Sequence, residues 1–156
     1  MGMYKTSILA LNNSFEYFMT ETNQNSVLIA EDDTFVLDMM SRMLTSAGFK
    51  VFQARDGLEA YETFVKHNKE IDLFVFDVVM PRMGGVQAYK AISLYTDGTL
   101  HQKVLYLTAF GADMLKSNNK DEFTYLLKPV DKTTLLDKIE EMLNIETKDL
   151  NNKNEQ

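Results

Sequence analysis

The sequence predicts an α/β fold: a doubly wound sheet of five parallel strands with helices on both faces. Three observations lead there. Short apolar runs alternate with amphipathic stretches through residues 27–143. The runs are apolar at successive positions, as strands covered on both faces are. Each stretch between runs has room for a helical crossover, which parallel neighbours require. A length of 156 residues suits one domain, since about 100–200 residues per domain is usual.

Taken in order, Val27-Leu28-Ile29-Ala30 is a brief apolar run ending in acids. Val36, Met39, Met40, Met43 and Leu44 recur at helical spacing, and Gly48 follows as a natural helix stop. Val51-Phe52 is the second strand. Leu58, Ala60, Tyr61, Phe64 and Val65 mark the second helix, entered through Asp56-Gly57. Asp72-Leu-Phe-Val-Phe-Asp77 is the strongest strand, followed by a helix over Val86–Leu94. Val104–Leu107 is the fourth strand, Ala112–Ser117 a short, weak helix, and Tyr125–Leu127 the fifth strand. The last helix, Thr133–Leu143, turns Leu135, Leu136, Ile139, Met142 and Leu143 inward.

Residues 1–26 are a leader or linker of weak order. Ile8, Leu9, Leu11, Phe15, Phe18 and Met19 could line part of one helical face, but Asn12-Asn13-Ser14 interrupts it and Thr20–Ser26 is polar. Residues 144–156 are nearly all polar and read as a frayed tail.

Composition narrows the chemistry. With no cysteine, disulfides, thiolate metal sites and cysteine nucleophiles are excluded, which suits a reducing, cytoplasmic setting. The formal charge of −7 opposes general attraction to nucleic acid or anionic lipid. No basic helix–turn–helix follows Leu143. No window reaches the roughly 18 uninterrupted apolar residues of a membrane span. The start, Met1–Lys5, lacks the apolar stretch of a secretory signal. The ten methionines read as core filler, apart from Met80 and Met83 in a loop. His67 and His101 are placed in exposed loops.

In an open doubly wound sheet, ligands bind outside the carboxyl ends of the strands. After the first strand come Glu31, Asp32 and Asp33. The third ends in Asp77, followed by Val78-Val79-Met80-Pro81; after the fourth stand Thr108-Ala109, and after the fifth Lys128-Pro129. Clustered carboxylates repel one another unless a cation sits among them. Hard oxygen ligands without histidine or thiolate suit Mg²⁺, which prefers to share its shell with phosphate oxygens. A lysine and a threonine beside it are groups that hold a transferring phosphoryl. A carboxylate can itself accept that group as an acyl phosphate, and Asp77 lies in the middle of the set. Asp33 belongs elsewhere: strand alternation turns it from the cation, towards the start of the following helix.

These residues resemble the receiver domains of two-component response regulators. Val27-Leu-Ile-Ala-Glu-Asp32 is similar to the first strand with its acidic pair. Asp72-Leu-Phe-Val-Phe-Asp77-Val-Val-Met-Pro81-Arg-Met-Gly-Gly85 resembles the phosphoacceptor strand and its Met-Pro loop. Leu107-Thr108-Ala109 resembles the switch threonine with its small neighbour. Tyr125-Leu-Leu-Lys128-Pro129 resembles the switch aromatic, the lysine and a peptide usually held cis. The resemblance covers about residues 27–143 and implies a flavodoxin-like (βα)₅ sheet in the order 2-1-3-4-5.

It further implies that Asp32 and Asp77 bind Mg²⁺ directly, with Glu31 acting through water and the Val79 carbonyl as a further ligand. Asp77 would take a phosphoryl group from the phosphohistidine of a histidine kinase or phosphotransfer protein. Lys128 and Thr108 would bond phosphoryl oxygens, and Tyr125 would move inward behind the threonine. The signal would leave for a downstream protein through the fourth helix, fifth strand and last helix. The chain would be no conventional enzyme, catalysing only its own phosphorylation and dephosphorylation.

Two departures stand out. The segment from Thr108 to Lys128 is about two residues shorter than the family pattern, and Lys116–Asp121 is poor helix material. Val79 and Phe110, two residues past the acceptor and the threonine, are both apolar where the family's side chains govern access of hydrolytic water. Alternative readings are the receiver part of a hybrid histidine kinase and a phosphorylation-independent scaffold. An aspartyl-phosphate hydrolase would place a second acid where Val79 stands.

Overall fold

The computed structural model describes residues 24–110 and 123–145. The apolar runs become β1 (Ser26–Ala30), β2 (Lys50–Ala54), β3 (Leu73–Asp77), β4 (Lys103–Thr108) and β5 (Tyr125–Leu127). They form one parallel sheet in the order β2-β1-β3-β4-β5, as expected. Four helices are described: α1 (Thr34–Ser46), α2 (Gly57–His67), α3 (Gly85–Tyr95) and α4 (Lys132–Leu143). The weak helix expected over 112–117 lies outside the described residues.

Alternation along each strand sorts the core into two layers. Val27, Ile29, Leu73, Val75, Leu105 and Leu107 face α1 and α4. Leu28, Ala30, Phe74, Phe76 and Tyr106 face α2 and α3. All five residues of β1 and of β3 are buried, which is why neither run alternates with polar residues. The crossover through α1 carries the chain from β1 to one side, whereas β3 lies on the other. The sheet order therefore reverses at the carboxyl ends of β1 and β3, where a crevice forms.

Packing refined the expected stripes. Helix α1 buries Leu37, Met40, Ser41 and Leu44, with Met39 and Met43 on its flanks. Ser41 is tolerated inside because its hydroxyl accepts from Gln53 Nε2 at 2.7 Å. Gly48 follows α1 with φ +93°, a left-handed stop that suits a residue without Cβ. In α2 the inner positions go to Ala60 and Phe64, four residues apart. Val65 lies one position further round the helix and is exposed. His67 is not in a loop: it closes α2, with its ring on Phe52 and Nδ1 3.0 Å from Glu70. His101 is exposed between α3 and β4, as expected. No helix among the described residues is long and apolar enough to cross a membrane.

Candidate functional site

The crevice collects side chains from the ends of β1, β3, β4 and β5. Carboxylate oxygens of Glu31, Asp32 and Asp77 all lie within 4.8 Å of one another. Glu31 and Asp77 are buried, whereas Asp32 faces solvent. Lys128 reaches across from the end of β5, its Nζ 2.6 Å from Glu31 Oε2 and 3.0 Å from Asp77 Oδ2. The lysine is separated from these acids by 97 and 51 residues, so only the parallel sheet makes them neighbours. A cis Lys128-Pro129 peptide follows, matching the expectation for that motif.

Burial raises the Glu31 carboxyl above the usual glutamate range. The Lys128 and Asp33 hydrogen bonds oppose that rise, and the Asp77 charge adds to it. Lys128 is shifted upward: burial alone would lower it, but the two carboxylates outweigh burial and hold the ammonium charged. Among the described residues the cluster is thus three acids against the Lys128 ammonium, an acid-rich set of hard oxygens that suits a divalent ion such as Mg²⁺.

Thr108 closes β4 beside Asp77, whose register partner is Leu107. It is buried; its hydroxyl accepts from the Phe110 amide at 3.2 Å and its carbonyl from the Lys128 amide at 2.9 Å. Tyr125 starts β5, half-buried and opposite Tyr106 in the ladder. The Val79 amide donates to Asp77 Oδ1 at 3.3 Å, which brings the chain just after the acceptor close to its carboxylate. Val79 and Phe110 are 52% and 67% exposed, one beyond the end of β3 and one beyond the end of β4, and neither side chain has a polar group to hold a water.

Asp33 stands apart, as strand alternation requires. It caps α1, its carboxylate accepting from the Phe35 and Val36 amides. A second acid–base contact has no signature in the sequence. Arg82, in the loop after β3, pairs with the buried Asp56 that caps α2. Burial works to raise the Asp56 carboxyl, but the Glu59 amide and the Arg82 guanidinium outweigh it and hold it below the usual range. The Asp56-Gly57 helix entry was legible, but its partner 26 residues on carried no periodic signal.

A five-stranded parallel sheet with three acids, a threonine and a lysine at its switch point defines a doubly wound α/β domain with a polar crevice at the carboxyl ends of its strands. The chain belongs to the response regulator receiver domain family, whose family model matches residues 27–140, and is thus a receiver domain of two-component systems. It is 32% identical over 119 residues to the transcriptional regulatory protein GlrR of Escherichia coli K12, covering 75% of this chain and 26% of GlrR. The match therefore spans about a quarter of that relative. It is 30% identical over 120 residues to the chemotaxis protein CheY of Treponema pallidum, covering 75% of this chain and 81% of CheY. Among solved structures, the CheX–CheY–BeF₃–Mg²⁺ complex of Borrelia burgdorferi superposes with a TM-score of 0.63 at 28% identity. That match covers 75% of this chain and 87% of the other.

Proposed function

We propose that this domain takes a phosphoryl group from a phosphohistidine onto Asp77, with Mg²⁺ held by Asp32, Asp77, the Val79 carbonyl and, through water, Glu31. The carrying observation is Lys128 bridging Glu31 and Asp77 inside a three-carboxylate cluster at the switch point. The Borrelia complex, whose fold is similar, contains Mg²⁺ and BeF₃ and lends support.

When bound, Mg²⁺ would neutralise charge on the phosphoryl oxygens and the carboxylates. The rest falls to the chain. An Asp77 carboxylate oxygen attacks phosphorus, the P–N bond to the donor imidazole breaks, and its electron pair stays on that nitrogen. The product is an acyl phosphate on Asp77. Lys128 leaves Asp77 Oδ2 for a phosphoryl oxygen while Glu31 keeps hold of its ammonium. Thr108 exchanges the Phe110 amide contact for another phosphoryl oxygen, and Tyr125 moves in behind it. Phosphorylation then favours one of two conformers through these contacts.

The phosphodonor is a histidine kinase or histidine phosphotransfer protein, and the output is a downstream protein. An apolar groove of about 380 Å³, lined by Val36, Met39, Met40, Leu107, Pro129 and Val130, opens beside Lys128. It supports a protein donor seated next to the acceptor. The charge of −7 supports neither nucleic acid nor anionic lipid as partner, and a cytoplasmic setting fits the reading.

The test is intact mass after incubation with acetyl phosphate, with Mg²⁺ or with excess chelator. A gain of about 80 Da, one phosphoryl as HPO₃, is expected only with Mg²⁺. Mg²⁺ binding with no adduct from acetyl phosphate or from any phosphohistidine protein would overturn the reading. Absence of both would favour the phosphorylation-independent scaffold.

The same adduct tests Val79 and Phe110. Neither side chain can orient a hydrolytic water by hydrogen bonding, so the phosphoryl group is expected to persist for hours rather than seconds. Val79→Asn should shorten its life. Loss from the wild type within a minute, without a phosphatase, would refute this.

A further inference from the structure

The loop leaving β3 is anchored by contacts that phosphoryl chemistry does not itself require. It doubles back on its own strand: the Gly85 amide donates to the Val78 carbonyl at 3.2 Å. A Cβ on Gly85 would stand 2.3 Å from the Asp77 carbonyl oxygen, so this approach needs glycine. At the tip, the Met83 amide donates to the Pro81 carbonyl at 2.6 Å, making Arg82 the centre of a three-residue turn with φ +61°. A residue with a Cβ holds that left-handed conformation at a cost, and keeps it where surrounding contacts impose it.

Those contacts come from the turn between β2 and α2. The Arg82 guanidinium donates through Nε and Nη2 to Oδ2 of Asp56, with Nε at 2.5 Å. The Gly57 amide donates to the Met83 carbonyl at 2.8 Å, where a Cβ on Gly57 would meet the same oxygen at 2.5 Å. Asp56 is buried and already caps α2, so its carboxylate is a fixed post rather than a mobile surface acid. The guanidinium is exposed, but the carboxylate it pairs with is buried and already engaged by the α2 cap.

We propose that Arg82 is a positioning residue for the metal site: its pair with Asp56 holds the Asp77–Gly85 loop so that the Asp77 carboxylate and the Val79 carbonyl meet one cation. The inference rests on the metal-binding set given above. It has a signature that simple charge effects do not share. By Coulomb's law alone, removing the Arg82 cation should tighten binding of Mg²⁺, and removing the Asp56 charge should weaken it. Positioning predicts weaker binding in both variants. Residues that orient ligands without touching the metal are commonly worth about 10-fold or more in affinity, and about 10-fold is expected here.

Isothermal titration of the full chain with Mg²⁺ measures this for wild type, Arg82→Ala, Arg82→Lys, Asp56→Asn and the double variant Arg82→Ala/Asp56→Asn. Asparagine at 56 keeps an oxygen for the Glu59 amide, so α2 stays capped, and urea unfolding reports whether each variant is folded. Each removal should weaken Mg²⁺ binding about 10-fold, the double variant no further than the singles, with Arg82→Lys in between. Unchanged or tighter binding in Arg82→Ala, or losses that add, would overturn the proposal. If Asp77→Asn and Asp32→Asn weaken binding while Arg82→Ala does not, the metal site stands and this inference alone fails. A wild type that binds no Mg²⁺ removes both.

Discussion

Asp77→Asn is expected to leave the chain without any phosphoryl adduct under conditions that fully label the wild type. The amide is nearly the same size and shape as the carboxylate. Its oxygen can still accept from the Val79 amide, which Asp77 Oδ1 meets at 3.3 Å. Its nitrogen takes the place of an oxygen that now accepts from Lys128, and Lys128 keeps its shorter contact to Glu31. The fold should therefore survive, while the anionic nucleophile needed for an acyl phosphate is gone. Intact mass with acetyl phosphate and Mg²⁺ gives the answer. Full labelling of Asp77→Asn would move the acceptor to another acid, with Glu31 and Asp32 the nearest, and peptide mapping would identify it.

Lys128→Ala separates transfer from metal binding. Lys128 is the cation seen between Glu31 and Asp77, and both contacts raise its pKa against the opposing effect of burial. Removing one fixed donor from developing charge commonly costs about 10²–10³-fold in rate, so adduct formation from acetyl phosphate should slow by that order. Mg²⁺ affinity should hold or rise, since the Lys128 ammonium no longer competes with the ion for Glu31 and Asp77. The pairing of a large rate loss with undiminished Mg²⁺ binding is the diagnostic result. Collapse of Mg²⁺ binding, or a rate loss below about 10-fold, would make Lys128 a structural tie between strands.

Several of these residues could be read without any structure because strands and strand ends are local features. The run Leu73–Phe76 is apolar at every position, so it had to be a strand covered on both faces, and Asp77 had to sit at its open end. The same logic set Thr108 and Lys128 at strand ends, and alternation turned Asp33 out of the cluster to cap α1. Sheet order followed from the resemblance carried by those motifs. The helices were less legible in detail. A hydrophobic stripe fixes which side of a helix faces inward only to within a position or so. Hence Leu37 and Ser41 are buried outside the stripe expected for α1, and of the adjacent Phe64 and Val65 expected in α2 only Phe64 is buried.

What the chain determined by itself, then, was the set of strands and the chemical groups at their ends. Tertiary structure decided which of those groups meet. Two adjacent acids, Glu31 and Asp32, are alike as a sequence pair, yet the sheet buries the first under Lys128 and leaves the second open to solvent. Arg82 and Asp56 each lie in turns whose chemistry was visible, but nothing local links positions 26 residues apart. Periodicity reports what a residue's own backbone imposes on it. Pairing across crossovers depends on where whole elements dock, and that is settled by burial of the two core layers against one sheet.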